Sequence, residues 1–183
     1  MIENLLSRAS IKALGDPGPD DAQLRTIFEA ATRAPDHGKL RPSRFFVVRG
    51  DARRHLSELF VAGINRREPG AAEPQIAKER EKPLRAPVTI VVVARLTPGH
   101  KVPEIEQTLS AGAAAMNILN AVHALGFAAK WVTGANCYDP EFKREFGLDP
   151  ADQLIGFLHV GTPVEKVDPP ARPDPAEFVR EWK

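Results

Sequence analysis

Apolar residues along this chain follow two different periods, and the switches between them mark out the elements. Asp20 or Asp21 caps a segment in which Leu24, Ile27, Phe28 and Ala31 recur at i, i+3, i+4 and i+7, an amphipathic helix closed by Pro35. Phe45 to Val48 is a compact apolar run ended by Gly50 and Asp51, which predicts a strand. A helix follows over Ala52 to Asn65. Arg66 to Arg85 is so charged that it reads as a mobile connection. Pro87 to Ala94 is the clearest strand, apolar on both faces and therefore expected mid-sheet. Pro103 suits a first helical turn, and Glu104 and Glu106 complement the helix dipole there. That helix runs to Gly126 and is apolar nearly all round, so it must be covered on every side; a second subunit is one candidate cover.

Phe127 to Thr133 reads as a strand ending at Gly134. Asp139 and Pro140 open a short helix with Phe142 and Phe146 a turn apart, and Gln153 to Val160 is the last strand. At the start, Ile2, Leu5 and Leu6 predict a short helix ending near Arg8, Ala9 and Ser10, and Gly15 to Pro19 a turn. Thr162 to Pro175 is too rich in proline for a helix or an interior strand, so it is expected to be an extended arm. Phe178 and Trp182 beyond it favour docking on a partner. Helices and strands interleave, and periodicity alone leaves α/β and α+β both open.

Composition narrows the class. A chain of 183 residues with 43% hydrophobic content is expected to form one domain, residues 1–183, with 162–183 as its arm. A formal net charge of +1 argues against a nucleic-acid binder relying on a basic surface. The uncharged stretch Leu109 to Leu125 is short for a membrane span and holds Asn117, Asn120 and His123, so a buried helix is expected and no membrane contact. The single cysteine, Cys137, excludes an intramolecular disulfide and fits a reducing compartment. The N-terminus lacks a secretory signal pattern. The expected location is cytoplasmic.

No GxGxxG, GxxxxGK[ST] or GxSxG motif is present. The five histidines have no metal-binding spacing, and Cys137 has no CxxC partner, so no metal site is expected. What remains is a scattered set of anion-competent residues. Arg33, His37, Lys39 and Arg41 crowd one helix-to-strand connection in an otherwise nearly neutral chain. Arg8 and Ser10 can share a phosphate, or be an ordinary surface arginine and turn serine. Arg33 can equally complement a helix C-terminus. Trp131, Val132 and Thr133 end a strand where backbone groups and a hydroxyl could face a ligand; core packing of Trp131 is the competing reading.

Taken in order, these segments resemble the nitroreductase family of flavoproteins. The likeness rests on Arg8-Ala9-Ser10, Arg33-Ala34-Pro35-Asp36-His37, Pro42, Phe45 to Val48, Arg85-Ala86-Pro87, His100 to Pro103, Glu106-Gln107, Ser110-Ala111-Gly112, Gly126-Phe127, Trp131 and Gly161-Thr162-Pro163. It implies an α+β sandwich with a central, mostly antiparallel sheet flanked by helices, and a C-terminal arm wrapping the partner of a homodimer. It also implies FMN at the subunit interface and NAD(P)H as reductant. Transferred by position, Arg8, Ala9 and Ser10 would bind FMN from one subunit and Arg33 and His37 from the other. Trp131, Val132 and Thr133 would line the flavin, and Lys166 would help hold its phosphate. Ala121, Val122, His123, Ala124, Leu125 and Gly126 match the segment implied to contact the nicotinamide cofactor.

The implied activity is hydride transfer from NAD(P)H through FMN to a small-molecule acceptor, a nitro compound, quinone or relative. No side chain is required as a catalytic nucleophile. The alternative is an FMN-binding protein with narrow or little reductase activity; a fold that has lost flavin is a third reading, opposed by Arg8, Ser10, Arg33 and His37. The chain departs from the family at three places. Asp36 stands where serine is usual, Arg41-Pro42-Ser43 where Gln-Pro-Trp is usual, and Ala9 where a second arginine is common.

Overall fold

Every residue of the strand Val88–Ala94 is buried, and the architecture is arranged around it. The computed structural model describes residues 2–165 and 167–183. Its helices are α1 (Ile2–Ser7), α2 (Asp21–Ala31), α3 (Ala52–Arg67), α4 (Glu73–Glu81), α5 (Glu104–Ala124) and α6 (Pro140–Arg144). Its strands are β1 (Leu14–Gly15), β2 (Ser43–Arg49), β3 (Val88–Ala94), β4 (Ala128–Val132) and β5 (Gln153–Pro163). The pairings β2–β3, β3–β5, β5–β4 and β1–β5 are all antiparallel, and an isolated parallel bridge joins Ser10 to Ala129. This is the mostly antiparallel sheet with flanking helices that the resemblance implies.

Alternation along the strands divides the core into two layers. Ile90, Val92, Leu158, Val160 and Ala129 face α2 and α5, meeting Leu24, Ile27, Ala114, Ile118 and Val122. Val91, Val93 and Phe157 face α3 and α6, meeting Leu56, Phe60 and Phe142. In that second layer the Phe60 ring meets Phe157 at 5.0 Å and Phe142 at 5.5 Å, both edge-on. Burying rings this way contributes packing beyond area alone.

The helix ends follow local chemistry. Asp20 accepts from the Gln23 amide at 2.8 Å while the Gln23 side chain accepts from the Asp20 amide at 2.9 Å, a capping box that starts α2. The α5 helix ends on Gly126 at φ 84°, with Gly126 N–H donating to His123 O (3.0 Å) and Phe127 N–H to Val122 O (3.1 Å). These two bonds satisfy carbonyls that would otherwise be orphaned, and they need the left-handed residue that glycine supplies.

Three expectations are corrected. The charged stretch Arg66 to Arg85 is not a plain connection: it finishes α3, forms α4 and ends in a 3-10 turn at Lys82–Leu84. The last strand runs through Pro163, because Thr162 and Pro163 pair with Gly15 and Leu14, at a place where proline is tolerated. The helix at Pro140 ends at Arg144, so Phe146 packs from the following turn. Among the described residues no helix is long and apolar enough to cross a membrane.

Candidate functional site

The segment after α1 runs alongside the outer edge of β4. Ile11 N–H donates to Ala129 O at 3.1 Å, beside the bridge at Ser10, which puts Arg8 near the start of β4 and Lys12 near its end. Each end opens onto a cavity.

At the β4 start, Arg8, Ala9, Leu119, His123 and Ala129 line a small cavity of about 50 Å³. The Arg8 Nε is buried and has no hydrogen-bond partner among the described residues. A buried donor left unpaired costs free energy, so an arginine in this state is poised for an acceptor that the described residues do not supply. His123 Nε2 lies 2.9 Å from Ser7 Oγ. Ala9 is buried and Ser10 exposed.

At the β4 end, a cavity of about 200 Å³ is lined by Lys12, Lys82, Arg85, Lys130, Val132, Thr133 and His159. Four permanent cations meet here. Lys82 pairs with Glu79 and Arg85 only loosely with Glu81 at 4.0 Å. His159 is nearly fully buried beneath them, its Nδ1 3.0 Å from Thr89 Oγ1. Burial first, then the Arg85 and Lys130 charges, push its pKa down to about 4, so the ring is neutral at physiological pH. Sequence reasoning missed Lys12, Lys82, Arg85 and Lys130. They come from segments far apart in the chain, and no local spacing marks them.

The predicted residues thus separate. Val132 and Thr133 line the basic cavity, but the Trp131 side chain does not. It lies against the other core layer, its Nε1 donating to Ile155 O at 3.2 Å. That carbonyl is available because β5 carries a bulge opposite Val92 and Val93, where Ile155 is the extra residue. In the segment Ala121 to Gly126, Val122 is wholly buried in the core, while Ala124, Leu125 and Gly126 are exposed. Of the six, His123 lines the cavity shared with Arg8. Lys166 lies outside the described residues.

Arg33 and His37 belong to a separate place, the connection between α2 and β2. Arg33 is exposed two residues past the end of α2, and the His37 Nδ1 lies 2.6 Å from Glu106 Oε2 at the start of α5. The loop folds around Asp36, whose carboxylate accepts from the amides of Leu40 (3.1 Å) and Arg41 (2.7 Å). Each amide has its own carboxylate oxygen, where a serine would have to offer both bonds from a single hydroxyl oxygen. Beside the loop is a third cavity, of about 380 Å³, lined by Ala31, Ala34, Lys39, Arg41, Ser43, Phe45 and Ser110.

Cys137 is buried at 4% exposure. Burial pushes its thiol up to about 11 despite a backbone hydrogen bond at Gly134, so it carries no thiolate at neutral pH.

Comparison with known proteins identifies the family. Residues 5–162 match the sequence model described as the Nitroreductase family. The chain is 39% identical over 179 residues to the Escherichia coli K12 protein named "Putative NAD(P)H nitroreductase YdjA", covering 97% of each. A Haemophilus influenzae relative is 38% identical over 177 residues, covering 96% of this chain and 95% of its own. A Desulfovibrio desulfuricans nitroreductase-type crystal structure in complex with FMN superposes with a TM-score of 0.76 at 26% identity, covering all of this chain and 96% of that one. The chain belongs to the nitroreductase family.

Proposed function

We propose that this protein is an FMN-dependent NAD(P)H oxidoreductase of the nitroreductase type, acting on a small oxidised acceptor in the cytoplasm. The observation that carries the reading is the pair of cavities along β4, one with the unpartnered Arg8 Nε and one ringed by four cations. This donor set fits FMN, which offers a phosphate dianion and a ring edge that becomes anionic on reduction. When bound, FMN supplies the hydride relay between NAD(P)H and the acceptor.

The chain's own residues then have defined tasks. Arg8 and Ser10 would hold the phosphate through charge-assisted hydrogen bonds. Lys12, Lys82 and Lys130 would keep positive potential at the ring's anionic edge. Val132 and Thr133 would line the ring. His159, kept neutral, would place an uncharged donor or acceptor under the cations. Nothing here requires a side-chain nucleophile. His123, which lines the Arg8 cavity, is the residue through which Ala121 to Gly126 would influence the nicotinamide cofactor.

A homodimer with FMN at its interface is part of the same proposal. Ile105, Leu109 and Met116 leave an apolar stripe exposed on α5, and Phe178, Val179 and Trp182 project from the arm into solvent. Uncovered surface of this kind is costly in an isolated chain and is relieved by a partner. Arg33 and His37, remote in contacts from the β4 cavities, would then serve the flavin of the other subunit, and the family of Arg8 and the family of His37 would meet across the interface.

The test is direct. Purified protein should oxidise NADPH or NADH with nitrofurazone or menadione once FMN is bound. Flavin retained with no turnover of either acceptor would favour the narrower FMN-binding reading, which the missing aromatic at Ser43 supports.

A further inference from the structure

Three strands set a row of polar side chains under the four-cation cavity. His159 on β5 pairs in register with Thr89 on β3 and with Lys130 on β4, so the three residues share one face of the sheet. Two of them are enclosed, Thr89 at 0% exposure and His159 at 5%. A polar pair buried in mid-sheet has to be matched by hydrogen bonds, and few are on offer.

Those bonds fix where the ring carries its hydrogen. The Thr89 hydroxyl meets one partner among the described residues, His159 Nδ1 at 3.0 Å. If Nδ1 donated, the hydroxyl hydrogen would be left buried without an acceptor, the costly arrangement. Thr89 Oγ1 therefore donates to Nδ1, and the neutral ring holds its hydrogen on Nε2. Nε2 makes no hydrogen bond among the described residues and, unlike Arg8 Nε, is not sealed from accessible space, because the ring lines the cavity. No carboxylate lines that cavity with it. Glu79 pairs with Lys82 from a small adjoining cavity, and Glu81 lies 4.0 Å from Arg85. The lysines are charges on flexible stems, whereas His159 is a neutral donor on a strand paired on both sides.

We propose that His159 orients the flavin ring, its Nε2–H donating to a lone pair on the ring's oxygen- and nitrogen-bearing edge while Thr89 holds the tautomer. The inference rests on the reading of the β4 edge as the FMN site and deepens it. The cations attract any anion with little regard to direction, but a fixed N–H rewards a planar group with an acceptor in one place. His159 thus distinguishes a flavin ring from a simple anion, and Thr89 is a positioning residue that acts through it.

Two measurements on the full chain test this. In flavin-stripped, isotope-labelled protein at neutral pH, a long-range proton–nitrogen NMR spectrum should show the His159 ring in its Nε2–H form, assigned by its absence from His159→Gln. Fluorescence titration then compares FMN with riboflavin, which has the ring and no phosphate. His159→Phe should weaken both flavins by at least about tenfold, the scale of one lost hydrogen bond. His159→Gln keeps an N–H and should recover most of that loss. Thr89→Val should weaken both flavins severalfold alone and no further in the His159→Phe background. An Nδ1–H ring, wild-type affinity in His159→Phe, or no recovery in His159→Gln would overturn the proposal. A loss confined to FMN would also overturn it, by moving His159 to the phosphate. Wild-type protein that binds neither flavin would overturn the flavin reading itself, and the inference with it.

Discussion

Gly156 sits at the β5 bulge with φ 149°, directly against Trp131. A Cβ there would collide with the indole Nε1 and come within 2.8 Å of Val132 O. Gly156→Ala should cost roughly 2–4 kcal/mol, from strained backbone and displaced packing together, as read by urea denaturation. His159 gives a second prediction at this scale. Its folded pKa of about 4 lies below the unfolded value near 6.5, so below pH 6.5 the unfolded chain binds a proton that the native state refuses. Stability is therefore full above about pH 6.5 and falls as pH drops toward 4, by roughly 3 kcal/mol at most. His159→Gln should flatten that part of the stability profile; an unchanged slope would remove His159 as its source. Neither residue was legible beforehand. Gly156 falls within the strand expected over Gln153 to Val160 and His159 is one histidine among five, because a bulge and a cavity exist only once strands pair.

The elements were read best where one physical signal dominated. In α2 the apolar stripe and the Asp20 cap agree, and in β3 six apolar residues, broken only by Thr89, point to a central strand. Helix α4 was missed because it has no buried residue and almost no apolar stripe. It is held instead by Pro74 in its first turn, by Gln75 accepting from the Ala72 amide, and by Ser57 Oγ donating to Arg80 O from α3. For α5 the sequence indicated apolar character all round, and the structure divides it. Ala111, Ala114, Ala115, Ile118 and Val122 enter the core while Ile105, Leu109 and Met116 remain outside. Leu109→Asp should therefore leave the monomer fold intact, visible as an unchanged far-UV spectrum, and should shift the light-scattering mass from dimer to monomer. A variant that stays dimeric would place the interface elsewhere.

At the scale of the whole molecule, the site is a product of topology. Lys12 reaches Lys130 and Thr133 because the segment after α1 lies along β4, and Lys82 and Arg85 arrive from the turn leading into β3. The resemblance assigned Arg8, Ala9, Ser10, Trp131, Val132 and Thr133 to the flavin by position alone, and of these Arg8, Ala9, Val132 and Thr133 border the two cavities. The four-cation cavity could not be read in that way, since three distant segments, at Lys12, at Lys82 and Arg85, and at Lys130, supply it. Burial first, and then the charges of Arg85 and Lys130, keep His159 neutral at this site. In the proposed function this edge of β4 holds FMN, with Arg8 supplying the phosphate contact and the cations the ring contact. Fluorescence titration of flavin-stripped protein with FMN, comparing wild type with Arg8→Ala and with Lys12→Ala plus Lys82→Ala, measures it. The account predicts saturable quenching in wild type and affinity at least about tenfold weaker in both variants, the loss expected for charge-assisted bonds. Wild-type affinity in both variants, or no FMN binding by the wild-type protein, would contradict it.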